Sequence, residues 1–170
     1  MNKTRKIVNL SLLTTIALTI FIVESYIPPL APIPGIKLGL SNIITLIVLI
    51  FWGWREALSV LFIRITLGSI FTSQLMALIY SLAGGGVCLI FMCIGKKIIP
   101  KDMIWLISVI GAIGHNIGQL TIASLVVNNM GVFVYLPILL ISGILTGAFT
   151  GIVCQILVNN IYVKKLFKNI

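Results

Sequence analysis

A single arginine interrupts a long apolar run of the sequence. Arg64 lies near the middle of the segment from residue 54 to 72, and the nearest charged residue along the chain is Glu56. If this run crosses a lipid bilayer, the guanidinium must face protein, water or a partner, because a charge at that depth is costly in lipid. Its paired donors suit a carboxylate or a phosphate. Two interpretations therefore stay open: a structural residue that donates to neighbouring helices, and a residue that binds an anionic ligand.

A second group of polar side chains lies in the apolar run from residue 103 to 127. His115 and Gln119 are four residues apart and share a helix face, and Asn116 follows His115 directly. Two amides beside a histidine at lipid depth favour a cavity-lining role over an isolated structural histidine. No second histidine, cysteine or carboxylate stands at ligand spacing. The pattern therefore predicts neither a metal site nor a catalytic triad.

Polar residues also surround the start of the second apolar run. Four prolines between residues 28 and 34, followed by Gly35, predict a stiff extended segment. This segment is either a lid over a site or a rigid connector between two helices. Lys37 and Asn42 follow it and are expected at the outer mouth of the second span.

Small residues recur at spacings that let helices approach closely. Glycines repeat at every fourth residue from 143 to 151, which predicts helix packing. Ser11, Thr15 and Thr19 form a similar stripe in the first run, a surface that could accept another membrane subunit. Three consecutive glycines at residues 84–86 weaken a helix, and we expect a break or a ligand-facing backbone there.

Apolar helices must position these side chains. The chain has 170 residues, of which 59% are hydrophobic and 9% charged, and its mean hydropathy is +1.20. A helix needs about 20 residues to cross a bilayer, so we predict an all-α, polytopic membrane protein with six transmembrane helices in one membrane domain, residues 1–170. The predicted spans are residues 6–27, 38–53, 54–72, 74–95, 103–127 and 132–159.

The charges predict the orientation of these spans. Twelve Lys and Arg stand against three acids. With the amino terminus in the cytoplasm, the basic clusters between spans fall inside and Lys37 is the one cation outside, as the positive-inside rule requires. We therefore predict a multi-pass protein of the cell (inner) membrane with both termini cytoplasmic. Short basic clusters between apolar runs do not make the basic face that nucleic acid requires, so no nucleic-acid partner is expected.

The sequence offers no groups for catalysis. It contains no P-loop for ATP hydrolysis, and Asp102 is its only aspartate, so it has no aspartate-rich motif to hold magnesium against a diphosphate. We predict no catalytic residue and no cofactor in this chain. Enzymatic work would have to come from another subunit.

Several motifs, in order along the chain, resemble the Gx transporter family, also catalogued as heptaprenyl diphosphate synthase component I. They are PGIKLGLSNIITL at 34–46, Arg64 with Gly68 and Ser69, SLAGGG at 81–86 and GAIGHNIGQL at 111–120. The resemblance spans residues 7–160. The family is similar in size and six-helix layout to the substrate-binding S components of energy-coupling factor (ECF) transporters. Those proteins capture a vitamin or related ligand beneath the loop joining the first two helices, then dock on a coupling subunit driven by two ATPases.

The resemblance implies a binding subunit for uptake of a small anionic or amphipathic solute, in an outward-opening cavity roofed by residues 28–37. The alternative is an accessory membrane component of heptaprenyl diphosphate synthase in isoprenoid or quinone synthesis, whose partner would be a prenyl synthase subunit. A third interpretation is a packing scaffold embedded in lipid. The alanine-spaced docking pattern of S components is replaced here by the stripe of Ser11, Thr15 and Thr19. The implied ligand-binding positions are Lys37, Asn42, Arg64, Gly85, His115, Asn116 and Gln119.

Overall fold

The computed structural model describes residues 3–27 and 37–168, and these residues are helical with no strand. The predicted stiff segment at residues 28–36 lies outside the described residues. Two short 3-10 turns, Lys101–Met103 and Met130–Tyr135, lead into the helices that follow them. The α-helices are α1 Lys3–Glu24, α2 Asn42–Phe51, α3 Trp54–Phe71, α4 Leu75–Ile98, α5 Ile104–Val127, α6 Leu136–Asn159 and α7 Ile161–Lys168.

Four helical stretches in the described part of the chain are long and apolar enough to cross a membrane. They contain α1, α4, α5 and α6, and they make this a membrane protein. The six predicted spans are not confirmed by this criterion. The second helix, α2, has only ten residues, and α3 carries Arg55, Glu56 and Arg64 within its eighteen residues.

The second predicted span differs most from the structure. We expected a helix from residue 38, but α2 begins at Asn42. Gly39 adopts a φ of +80°, a left-handed conformation that interrupts a helix, and its N–H donates to the Glu24 carboxylate instead of a backbone carbonyl. We call the non-helical residues 37–41 the entry segment.

Glycines bring α5 close to the helices on both sides. A Cβ atom added at Gly118 would lie 2.8 Å from the Ala83 carbonyl oxygen of α4. One added at Gly147 would lie 2.9 Å from the Cα of Val109 in α5. As predicted, the glycine repeat of α6 therefore packs helix against helix.

We expected a break or a ligand-facing backbone at the triple glycine of α4. The helix is not broken there, since α4 continues from Leu75 to Ile98. Each of its glycines faces a different direction. A Cβ at Gly84 would lie 2.6 Å from Gln119 Cγ of α5, whereas one at Gly85 would lie 3.0 Å from Leu61 Cδ1 of α3. A Cβ added at Gly86 would have no neighbouring atom within 4 Å. The first two glycines allow close packing on two neighbouring helices.

The last helix, α7, was not predicted, and it packs on the carboxyl-terminal end of α2. The Phe167 ring lies 5.2 Å from Phe51 and 5.1 Å from Trp52, measured between centroids. Lys96 of α4 donates to the carbonyl of Leu49 at 2.7 Å and so satisfies one terminal carbonyl of α2. We call Phe51, Trp52 and Phe167 the aromatic end of α2.

Candidate ligand-binding site

The short helix α2 starts in the interior of the molecule. It contacts α1, α3, α4, α5 and α6, and its residues from Ile44 to Leu49 are all buried. Ten residues span about 15 Å as a helix, which is about half the hydrocarbon thickness of a bilayer. Polar side chains of α1, α3, α4 and α5 meet those of the entry segment and of Asn42, where α2 begins. This polar cluster consists of Glu24, Lys37, Ser41, Asn42, Arg64, Ser81, His115 and Gln119.

Two side chains of the polar cluster pair with the backbone of the entry segment. Glu24 Oε1 accepts a hydrogen bond from the Gly39 N–H. In the amide orientation that gives both its ends a partner, the Gln119 nitrogen donates to the Lys37 carbonyl at 3.0 Å, and its oxygen accepts from the Lys37 N–H at 3.3 Å. Non-helical backbone at membrane depth needs such partners within the protein. Both residues therefore have a structural role.

Arg64 is one of the most deeply buried large side chains, with 2% of its surface exposed. Its Nη1 donates to Ser41 Oγ and its Nη2 donates to Asn42 Oδ1. Within residues 3–27 and 37–168, the one ion pair joins Lys6 to Glu56, so Arg64 is held by neutral groups. These are the contacts that the structural interpretation of Arg64 requires, and no carboxylate of the described residues contacts its guanidinium.

Lys37 is also buried, although we expected it at the outer mouth of a span. Its Nζ donates to Ser25 Oγ at 2.5 Å and to the Phe21 carbonyl at 3.5 Å. The same nitrogen lies 3.4 Å from the centroid of the Phe21 ring, a cation–π contact. The polar cluster thus holds two buried cations.

His115 contacts Gln119, as their spacing predicts. Its Nε2 lies 3.2 Å from the Gln119 side-chain oxygen in the same amide orientation. In the tautomer that this amide orientation assigns, Nε2 carries the proton and Nδ1 is an acceptor. No described residue pairs with this Nδ1.

A small gap lies between the helices of the polar cluster. Glu24, Lys37, Arg64, Ser81 and His115 line it, together with parts of the entry segment. It has room for about one water molecule, because the entry segment fills the space in which we expected an open cavity. Most of the predicted roof of an outward-opening cavity, residues 28–36, lies outside the described residues, so that cavity stays a prediction.

Sequence comparison places these residues in a known family. The family model described as heptaprenyl diphosphate synthase component I matches residues 13–157. The chain belongs to this family. No curated protein and no solved structure matches it.

The stretch that matches heptaprenyl diphosphate synthase component I contains the whole polar cluster. Five of the seven predicted ligand-binding residues belong to this cluster: Lys37, Asn42, Arg64, His115 and Gln119. Three members of the polar cluster, Glu24, Ser41 and Ser81, were not predicted as site residues. Ser41 and Ser81 could have been found from their positions, because Ser41 precedes Asn42 and Ser81 begins the motif that contains the triple glycine.

The other two predicted ligand-binding residues lie outside the cluster of this family member. Asn116 points toward α6, where its Nδ2 donates to the Leu139 carbonyl. Gly85 packs against Leu61 and Ile65 of α3. Adjacent helix positions differ by about 100° in direction, which separates Asn116 from His115 and Gly85 from Gly84.

The stripe predicted for partner docking is exposed. Ser11, Thr15 and Thr19 all lie on the outer surface of α1. The hydroxyls of Thr15 and Thr19 donate to backbone carbonyls of the preceding turn, both at 3.0 Å.

In the described part of the chain, no three His, Cys, Asp or Glu side chains come together as metal ligands would.

Proposed function

We propose that this protein is a membrane-embedded binding subunit for the uptake of a small anionic or amphipathic solute, similar in role to ECF S components. The observation that carries the proposal is the charge of the polar cluster. Arg64 and Lys37 are both buried there, while Glu24 is the one acid among the described residues that line the gap. One carboxylate leaves the site with an excess positive charge, which favours an anion.

Entry of a solute requires the entry segment to move, because the gap holds only about one water molecule. Its displacement would separate Ser41 and Asn42 from Arg64. The guanidinium would then present its paired donors to an anionic group. We propose Lys37, Asn42, Arg64, His115 and Gln119 as the ligand-binding residues, with Gly85 and Asn116 shaping the helices around them.

The proposed arrangement in the membrane has six spans in a single domain over residues 1–170. The entry segment and α2 together form the second span, and α3 the third, with Arg64 sheltered inside the bundle. Both termini lie in the cytoplasm of a cell whose inner membrane holds the protein, as the basic residues favour. Lipid covers the exposed apolar side chains of α1 and α6.

An uptake role requires an energising partner. We propose that a membrane coupling subunit with paired ATPases docks on the exposed stripe of Ser11, Thr15 and Thr19. Purification of the tagged protein from its native membranes in mild detergent, with mass spectrometry of the accompanying proteins, tests this. Recovery of a coupling subunit and two ATPases supports the transporter role. Their absence, together with recovery of a prenyl synthase subunit, contradicts it.

That second outcome would support the alternative function, an accessory membrane component of a prenyl diphosphate synthase. The description of the matching family favours this candidate. The protein would then hold a prenyl chain in lipid while a soluble subunit supplies the magnesium chemistry. The activity of that subunit should depend on the presence of this protein and should not require ATP.

The solute itself can be tested through Arg64. Arg64→Ala should remove the small acids that are released when the purified protein is extracted with solvent and examined by mass spectrometry. Arg55→Ala is the matched control, because Arg55 is an exposed arginine of the same helix. Equal recovery of acids from both variants and from the unmodified protein would exclude an anion site at Arg64.

A further inference from the structure

Four residues that line the same gap each have a buried polar atom without a hydrogen-bond partner among residues 3–27 and 37–168. These atoms are Glu24 Oε2, Arg64 Nε, Ser81 Oγ and His115 Nδ1. Each residue is at least nine-tenths buried, with exposed fractions between 2% and 4%. Buried polar atoms are normally paired, so unpaired ones on residues that line a common space indicate a missing binding partner.

These four atoms differ in whether they donate or accept hydrogen bonds. Arg64 Nε is a donor, whereas Glu24 Oε2 is an acceptor. His115 Nδ1 is also an acceptor in the tautomer that places the proton on Nε2, beside Gln119. The Ser81 hydroxyl can act in either sense. A partner that satisfies the set must accept one hydrogen bond at Arg64 and donate at least one toward Glu24 or His115.

We propose that the solute of this site carries an anionic group and, beside it, an N–H or O–H donor, as in a 2-hydroxy acid or a 2-amino acid. This inference rests on the proposed function, in which the entry segment moves to admit a solute larger than the water-sized gap, and it narrows the class of that solute. The anionic group contacts Arg64, and the donor contacts Glu24 Oε2 with Ser81 and His115 nearby. Glu24 thus selects among the anions that Arg64 attracts.

A simple carboxylate is a poorer complement to the site. It would satisfy Arg64 but leave the second oxygen of Glu24 unpaired, and two anionic groups close together repel each other. A buried acceptor without a donor rejects a ligand that lacks the matching group more strongly than an apolar pocket rejects an extra methylene. The donor is therefore expected to decide specificity more than the length of the apolar chain.

The experiment compares three probes of the same carbon skeleton on the full-length protein in detergent and lipid. The probes are pentanoate, 2-hydroxypentanoate and norvaline, and binding is measured by titrating the thermal unfolding midpoint. We expect 2-hydroxypentanoate or norvaline to bind at least about 200-fold tighter than pentanoate, which exceeds the effect of one methylene. Whichever of the two binds tighter identifies the donor as hydroxyl or ammonium.

Variants test whether the preference for a donor-bearing probe arises at Glu24 and Ser81. Glu24→Gln should reduce the preference for the donor-bearing probe while pentanoate still binds. Glu56→Gln is the matched control, since Glu56 pairs with Lys6 far from the gap, and it should change nothing. If Glu24→Gln does not fold because Gly39 loses its partner, Ser81→Ala gives the same test with a smaller loss of preference.

The outcomes separate this inference from the proposed function. Equal binding of all three probes, with binding lost in Arg64→Ala, would overturn the inference and leave the anion site standing, with water as the partner of Glu24. A preference that survives Glu24→Gln and Ser81→Ala would also overturn it. Failure of every probe to bind, or binding that Arg64→Ala leaves unchanged, would contradict the proposed function itself.

Discussion

The two ends of α2 are held in different ways. At its amino-terminal end, charged and amide side chains contact a non-helical backbone, and several of their atoms lack partners among the described residues. At its carboxyl-terminal end, three aromatic rings pack together, and Lys96 satisfies the Leu49 carbonyl. The same ten-residue helix therefore joins an end with several unsatisfied polar groups to an end held mainly by aromatic packing, where Trp52 Nε1 is also unpaired among the described residues.

This difference distinguishes a candidate binding site, the polar cluster, from a structural contact, the aromatic end. The rings of the aromatic end gain stability mainly by packing, although Trp52 Nε1 is a buried donor with no partner among the described residues. The polar cluster is costly to bury, and its unpaired atoms add to that cost until a ligand or water satisfies them. Four variants, taken from the largest expected effect to the smallest, test whether the two ends are distinct.

Gly39→Ala should have the largest effect, a loss of about 4 kcal/mol in the free energy of unfolding. Gly39 has a φ of +80°, and an added Cβ would lie 2.7 Å from Asn42 Nδ2 and 2.8 Å from His115 Cδ2. Titration with SDS in mixed micelles measures the change. Gly53→Ala, at the other end of α2, is the control.

Gly53 also has a positive φ, +109°, but an added Cβ would meet only the Glu56 carboxylate, at 3.9 Å. Gly53→Ala should therefore cost only the backbone strain, about 1–3 kcal/mol. If the two variants lose the same stability, the close packing that distinguishes Gly39 has no energetic importance.

Phe167→Ala should cost about 3 kcal/mol, because it removes a ring that is 7% exposed and leaves a cavity against Phe51 and Trp52. The same SDS titration measures it. Binding of anions to the polar cluster should be unchanged when protein stability is matched by temperature. Loss of binding in the folded variant would mean that the aromatic end is part of the site.

Lys96→Met should cost about 1 kcal/mol, since it keeps the apolar stem and removes the donor to the Leu49 carbonyl. Lys97→Met is the natural comparison, because Lys97 is an exposed neighbour on the same helix. The difference between their unfolding free energies isolates the hydrogen bond. No difference would show that water replaces the lysine at this end of α2.

Gly86→Ala should have the smallest effect, a gain of up to about 1 kcal/mol from higher helix propensity. It faces neither end of α2, and nothing lies within 4 Å of its added Cβ. A rise in the thermal unfolding midpoint is the expected readout. A fall would indicate that α4 needs flexibility at this position.

Helix positions followed from the sequence because long apolar runs with short polar breaks allow few other structures. The predicted runs 54–72 and 103–127 agree closely with α3 and α5. The start of α2 was misplaced because hydropathy does not register a single glycine at positive φ. Likewise, α7 was missed because eight residues containing lysines resemble a tail rather than a helix that packs through Phe167.

Part of the site was also accessible from the sequence. Arg64 and His115 stood out because charge and imidazole are rare at lipid depth. The contacts that hold the entry segment did not stand out, because the bond from Gly39 to Glu24 and the pairing of Gln119 with Lys37 connect distant parts of the chain. Local spacing places Asn116 beside His115, but it does not reveal that the two side chains face different helices.

The pairing between the entry segment and α5 also constrains how the protein is made. While the ribosome is still synthesising α4, the N–H and C=O groups of Lys37 have no Gln119 to bind. A ten-residue helix is too short to leave the translocon and cross lipid alone. The pairing that holds the backbone of Lys37 can therefore form only after α5 has been synthesised.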